Sequence, residues 1–361
     1  MAVQKIDIDN FIIETSASIG SSLRSSITID VRSPAEFEHA HIPHALNLPL
    51  FDNEQRALIG TTYKKQSREA AIKVGLPLFG AKMLPMIETV EAWIKDRQKE
   101  NDLTKPTIYV HCWRGGMRSA AVAWLLDLYG YKVIQLTGGY KAYRNWVLAQ
   151  FTIPYSLKVL GGYTGSGKTE ILHALQEKNY AVIDLEGLAH HKGSAYGAIG
   201  QLPQPSQEMF ENIVAEKLLE VNKKQKSIWI EDESRRIGHV NIPAQLFEQM
   251  RKSKLYFLDI PFASRLQFIV SGYGKFEKDQ LMSAILRIKK RLGGLETKTA
   301  INYLIEDDII NSFSVLLVYY DKLYLKGAYN RENAETLIQK IEVPSVDPSA
   351  NAATLLASAG L

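Results

Sequence analysis

Two short stretches of this 361-residue chain carry residue types that do chemistry. The first, His111 to Ser119, reads HCWRGGMRS and holds the single cysteine, Cys112. Gly115 and Gly116 let the backbone curl so that successive N–H groups point inward. Arg114 and Arg118 add full positive charges, and the helix that follows, read from Ser119, adds the positive end of its dipole. Arg114, Gly115, Gly116, Met117 and Arg118 thus form a candidate anion-binding loop around Cys112, the candidate nucleophile. A loop of this kind favours a thiolate and holds an anionic sulfur species or an oxyanion. The spacing Cys-x5-Arg followed by Ser leaves two chemistries open, chalcogen transfer and cysteine-dependent phosphate-ester hydrolysis.

The second stretch, Gly162 to Thr169, reads GYTGSGKT. This is the Gly-x4-Gly-Lys-Thr phosphate loop, preceded by a strand (KVLG) and followed by an amphipathic helix. The N–H groups of Gly165, Ser166, Gly167 and Lys168 are placed to wrap a phosphate. The Lys168 ammonium neutralises it, and the Thr169 hydroxyl is suited to a magnesium ion. The motif predicts a phosphate or diphosphate ligand without specifying ATP. Asp184 closes the next strand, and Glu231, Asp232 and Glu233 close the one after. Asp184 and Glu231 are the candidates for holding metal-bound water or for acid–base work. His190 and His191 lack the companions of a metal site at the usual spacing, so the metal, magnesium apart, stays unassigned.

The elements that must position these loops alternate. Ser26 to Val31, Thr107 to Cys112 and Tyr131 to Leu136 read as strands, with helical patterns over Ser119 to Tyr129 and Tyr140 to Gln150. After a break at Phe151 to Ser156, strands recur at Lys158 to Gly161, Ala181 to Leu185, Ser227 to Ile230 and Leu255 to Ile260. A helix over Gln207 to Lys223 lies between them, and the chain is then largely helical to about Ile341. Strand–helix alternation predicts an α/β fold with parallel sheets covered by helices. The expected division is a first domain over 1–150, a phosphate-loop domain over 151–343 with a mainly helical C-terminal region, and a flexible Pro/Ala/Ser-rich tail over 344–361.

Composition narrows the class. Hydrophobic residues make up 46% and charged residues 23%, and mean hydropathy is −0.13. One cysteine excludes an intramolecular disulfide scaffold and a Cys-based zinc site. Met1 to Ile13 carries acids and no apolar run of a signal peptide. No window is expected to approach the roughly 18 apolar residues of a membrane span, so a cytoplasmic location is the expectation. The net charge of +4 conceals separated fields. Lys275 to Lys298 holds seven basic and three acidic residues, whereas Asn302 to Leu361 holds four basic and eight acidic ones. Arg287, Lys289, Lys290 and Arg291 are therefore candidates for tracking an RNA backbone.

The segment Asp30 to Leu48 reads DVRSPAEFEHAHIPHALNL. It resembles the entry motif of the rhodanese-like sulfurtransferases in Asp30, Val31, Arg32, Glu36, Phe37, His41, Ile42, Pro43, Ala45 and Asn47. Ala40 and His44 stand where that family often has glycine. With this domain joined to GGYTGSGKTE, then GSAYG and then ESRRIG, the ordered set resembles the tRNA 2-selenouridine synthase family over about Ile27 to Ile341. That resemblance implies a rhodanese-like domain followed by a P-loop kinase-like domain. It implies action on the wobble uridine of tRNAs for lysine, glutamate and glutamine, where selenium replaces the sulfur of 2-thiouridine. Geranyl diphosphate would first alkylate the sulfur, selenophosphate would then supply selenium, and no tightly bound cofactor is expected. Cys112 would act as the chalcogen carrier and, lacking a partner thiol, hand the selenium directly to the RNA. The rival readings are a cysteine-dependent phosphatase on the same fold and an ATP-dependent sulfurtransferase or kinase.

Overall fold

A computed structural model describes residues 3–21, 26–97, 105–224 and 227–361. The chain divides into two compact units, Met1–Ala149 and Gln150–Leu361. Each is built on a five-stranded parallel sheet.

In the first unit the strands are β1 (Gln4–Ile6), β2 (Ser26–Asp30), β3 (Leu46–Asn47), β4 (Thr107–His111) and β5 (Val133–Leu136), in the order β1-β5-β4-β2-β3. Three of the five coincide with predicted strands; the two edge strands are two and three residues long and leave almost no periodic signal. The central strands β2 and β4 bury Ile27, Ile29, Ile108 and Val110 in a core shared with Val122 and Leu126 of the helix Met117–Leu128. Near-continuous apolar runs are what a sheet covered on both faces requires.

A 30-residue helix, Arg68–Arg97, crosses this unit with Pro77 and Pro85 inside it. Ala71, Gly75 and Phe79, then Met86, Val90 and Ile94, recur every four residues as its buried stripe, the spacing of one helix face. This corrects the expectation of no long apolar window: an 18-residue stretch of the helix has a mean hydropathy of 1.4, and it is long and apolar enough to cross a membrane by length and composition. Lys73 and Lys82 interrupt the run as read along the chain, while on the helix the apolar residues between them dominate.

In the second unit the strands are β6 (Leu157–Gly162), β7 (Ala181–Ile183), β8 (Ile228–Glu231), β11 (Lys254–Asp259) and β12 (Ile338–Glu342), in the order β12-β11-β6-β8-β7. A two-stranded hairpin, β9 (Arg236–Ile237) with β10 (Val240–Asn241), lies between β8 and β11 in the chain. The central β6 delivers its C-terminal end directly to the phosphate loop. Between β11 and β12 come the helices Phe262–Tyr273, Lys278–Leu292, Gly294–Ile305 and Ile309–Tyr329, which hold their own apolar cluster around Leu281, Ile285, Leu304 and Phe313.

The expected flexible tail is instead ordered. Asp347 accepts the N–H of Ala350 at 3.0 Å as a helix cap, Pro348 occupies the first turn, and the helix runs Pro348–Ser358. Asp before Pro at the first helical position is a start signal. Ala352, Leu355 and Leu356 are buried against Ile171, Leu172 and Leu175 of the helix that follows the phosphate loop. Burying the two leucines contributes about 1.5–3 kcal/mol each, which outweighs the low complexity of the sequence.

Candidate functional site

The first unit places Cys112 immediately beyond β4 and before the helix Met117–Leu128, whose N-cap is Gly116. The thiol is buried, at 3% exposure. Gly115 has φ = 64°, and a side chain there would lie 2.5 Å from the carbonyl oxygen of Leu136, so the turn needs glycine. The loop is held from the side by backbone bonds, in which Tyr140 N–H donates to Cys112 C=O at 2.8 Å and Lys141 N–H to Trp113 C=O at 2.9 Å. Ser119 Oγ lies 3.3 Å from Cys112 Sγ.

The two arginines of the loop differ. Arg114 and Met117 are exposed, whereas the Arg118 guanidinium is paired with Glu36 at 2.8 Å. Burial pushes the Glu36 carboxyl up, but the hydrogen bond and charge of Arg118 outweigh it and hold the group below its usual range. Glu36 thereby fixes where the cation stands. Asp30 and Arg32 serve the frame: Arg32 Nη2 donates to Asp30 Oδ2 at 2.6 Å and to Ala40 C=O at 2.7 Å, and its guanidinium lies 3.8 Å above the Tyr140 ring. Asn47 Nδ2 ties the carbonyls of Asp30 and Arg32 together at 3.0 Å each.

The second unit places Gly162 at the end of β6 and Lys168 and Thr169 at the start of the helix Lys168–Glu177. Gly167 has φ = 70°, and a side chain there would lie 2.7 Å from Val346 of the C-terminal segment. The loop is braced from outside. Arg265, 3% exposed, donates to Thr164 C=O at 3.1 Å and makes a two-point pair with Asp321 at 2.8 Å on each arm. Lys168 Nζ rests 3.3 Å from Gly162 C=O and 4.9 Å from the centre of the Tyr324 ring, and Ser166 Oγ is buried without a hydrogen-bond partner among the described residues. Glycine turns, a lysine and an unpartnered hydroxyl are an arrangement that could accept a phosphate group.

The carboxylates sort differently from the sequence expectation. Asp184 caps the short helix Leu185–Leu188, accepting from Gly187 N–H at 2.7 Å, and faces His173 at 3.1 Å. Thr169 Oγ donates to Glu186 at 3.1 Å, so Glu186 is the acid beside the magnesium-type hydroxyl. Sequence reading passed over it because it lies three residues beyond the end of β7. Glu231, at the end of β8, accepts the Glu186 N–H through Oε1 at 2.8 Å, while its Oε2 has no partner among the described residues. Among the described residues no group of three or more His, Cys, Asp or Glu side chains is arranged to hold a metal ion. Thr169 and Glu186 are the pair that would meet a magnesium ion carried in with a phosphate.

Burial, then the neighbouring Asp184 and Glu186 charges, pushes the Glu231 carboxyl well up. Glu186 and Glu233 are raised as well, by burial first, with Lys168 opposing. A carboxyl raised in the folded state keeps a proton that the unfolded chain releases. Its contribution is complete below the unfolded value near 4.3 and is lost as pH rises through the folded one. Glu231→Gln keeps an acceptor for Glu186 N–H and does not titrate. The variant is expected to melt about 2–4 °C above the parent at pH 8 and level with it near pH 4. An equal offset at both pH values in calorimetric melting would contradict the assignment.

Arg287, Lys289, Lys290 and Arg291 are all exposed on the helix Lys278–Leu292, whose opposite face buries Leu281, Ala284, Ile285 and Leu292. Next to them a shallow, open depression of about 420 Å³ lies between Ala198, Ile199 and Gly200 on one side and Asp279, Gln280, Ser283 and Arg287 on the other.

Residues 22–145 match the family model of the rhodanese-like domain, and residues 155–342 match that of the tRNA 2-selenouridine synthase AAA domain. Three proteins named tRNA 2-selenouridine synthase are similar to the chain. That of Shewanella frigidimarina is 34% identical over 335 residues, 82% of this chain and 87% of the relative. That of Bdellovibrio bacteriovorus is 34% identical over 357 residues, 86% of this chain and 91% of the relative. That of Nitrosomonas europaea is 39% identical over 251 residues, 68% of this chain and 63%, just under two thirds, of the relative.

Proposed function

The chain belongs to the tRNA 2-selenouridine synthase family, and on that premise we propose that it replaces the sulfur of 2-thiouridine at the tRNA wobble position with selenium in two steps. In the first, the thiocarbonyl sulfur attacks C1 of geranyl diphosphate, an S–C bond forms and diphosphate leaves. In the second, the selenium of selenophosphate bonds to C2 of the base and displaces the alkylated sulfur as geranylthiol, and water then cleaves the Se–P bond to release phosphate. Alkylation supplies the leaving group that a thiocarbonyl sulfur lacks.

The observation that supports this reading is that one chain carries two separate glycine-turn loops, each leading into a helix N-terminus and suited to an anion. The phosphate loop suits the diphosphate or phosphate of a donor: Lys168 meets its charge, and the N–H groups of Gly165, Ser166 and Gly167 orient it. The loop around Cys112 sets a thiol at a helix N-terminus beside an arginine whose position Glu36 fixes, a setting for a nucleophile engaging selenophosphate. Exposed Arg287, Lys289, Lys290 and Arg291 supply a surface for the RNA backbone, with the lysine, glutamate and glutamine tRNAs as the proposed substrates and the cytoplasm as the place of action. A phosphatase reading accounts for the cysteine loop alone and leaves the second unit without a role.

Mass spectrometry of tRNA nucleosides tests this directly. Geranyl diphosphate alone is expected to give S-geranyl-2-thiouridine, selenophosphate alone little product, and the two together 2-selenouridine. Formation of 2-selenouridine at full rate without geranyl diphosphate would overturn the order of steps, and no selenouridine under any condition would overturn the function.

A further inference from the structure

We infer that Gln135 is a positioning residue that aims the Ser119 hydroxyl at the sulfur of Cys112. The inference rests on the reading of Cys112 as the nucleophile and adds the device that tunes it. Gln135 is 3% exposed and is the one polar residue of β5, between Ile134 and Leu136. A buried amide in the middle of a sheet is stable only when its hydrogen bonds are made, and those it makes all point toward the cysteine loop.

Its Nε2 lies 3.0 Å from Gly115 C=O, 3.3 Å from Gly116 C=O and 2.8 Å from Ser119 Oγ. Carbonyl oxygens only accept, so the end of the amide facing them is the NH2 group, and the orientation of Gln135 is determined. An NH2 group only donates. Ser119 Oγ, fully buried, therefore accepts from Gln135 and must place its own proton elsewhere. Two atoms are in reach, Cys112 Sγ at 3.3 Å and Gly116 C=O at 3.1 Å. Gly116 C=O already accepts the Ala120 N–H at 3.1 Å. When the sulfur is charged it is the stronger acceptor, because a hydrogen bond to an ion is roughly twice as strong as one between neutral groups. The chain Gln135 to Ser119 to Cys112 thus runs in one direction and ends on the sulfur, where it favours the thiolate.

Cys112 is the single cysteine of the chain, so alkylation of the full-length protein with iodoacetamide, followed by intact mass, reports on this sulfur alone. Ser119→Ala is expected to slow alkylation about three- to tenfold at pH 7 and to leave it within about twofold at pH 10, where thiols in general are ionised. Gln135→Leu is expected to do the same, and the double variant to be no slower than either single one, because both act through one bond. Wild-type alkylation of Ser119→Ala at pH 7 would overturn the inference, as would a double variant slowed by the product of the single effects, which would make Gln135 only a brace of the loop. If Gln135→Leu does not fold, Gln135→Met, of similar length and unable to donate, takes its place in the same comparison. The readout needs no tRNA and no selenium donor, so its failure is distinct from failure of the proposed function.

Discussion

Cys112→Ser is expected to reduce 2-selenouridine formation at least about a hundredfold while S-geranyl-2-thiouridine accumulates on the tRNA. Serine preserves the volume of the side chain and the turn around it, but a hydroxyl is a far weaker nucleophile than a thiol. Everything else in the loop remains: the N–H groups at the start of the helix Met117–Leu128, and Arg118 on its Glu36 anchor. The chain has no second thiol to take over. The split between the two products is the informative part, since a general loss of folding or of tRNA binding would suppress both. Nucleoside mass spectrometry with both donors present reads the two together. Selenouridine at the parental rate in Cys112→Ser would remove Cys112 from the mechanism.

Lys168→Ala is expected to weaken binding of inorganic diphosphate by roughly ten- to a hundredfold, the worth of a hydrogen bond to a charged group in a partly enclosed site. Lys168 Nζ now rests against Gly162 C=O, at the long end of hydrogen bonding, and against the Tyr324 face. Both contacts are weak compared with a phosphate oxygen, so the ammonium is free to transfer to a ligand. Titration calorimetry with diphosphate and magnesium gives the affinity without any tRNA. An unchanged affinity would mean that the loop does not use its lysine, and the phosphate-site assignment would fall. Arg265, which holds Thr164 from behind, is a useful contrast, because changing it should lower stability as well as affinity.

Much of this site was legible as sequence because both loops are local. HCWRGGMRS and GYTGSGKT each put nucleophile or cation, glycine turn and helix start within nine residues, and local geometry follows from local spacing. The partners that tune them were not legible. Glu36 meets Arg118, and Gln135 meets Ser119, only because strands distant in sequence are neighbours in a parallel sheet. A glutamine in an otherwise apolar strand was the available sign, since burial of an amide demands partners. Glu186 was hidden for a different reason: the strand end drew attention to Asp184, whose carboxylate is occupied by a helix cap and His173. The weakest part of the sequence reading was the C-terminal end. β12, IQKIE, is an edge strand with charged residues, a pattern that keeps edges from pairing with other chains and also hides them. Asp347-Pro348 announces a helix that the small residues after it obscure.

The placement of β12 and the helix Pro348–Ser358 governs the order in which the second unit is able to fold. β11 is complete at Asp259, yet its outer neighbour begins at Ile338, after a helical excursion of almost eighty residues. Until that segment is made, one edge of the sheet is open and the apolar face of the helix behind the phosphate loop, Ile171, Leu172 and Leu175, lacks its cover. Translation adds about 5–20 residues per second, so a nascent chain spends seconds with its phosphate loop present in sequence and unsupported in structure. The entropy of closing so long a loop is met only when the last strand and helix arrive together. The packing behind the phosphate loop is therefore complete only once the segment from Ile338 to Ser358 has been made.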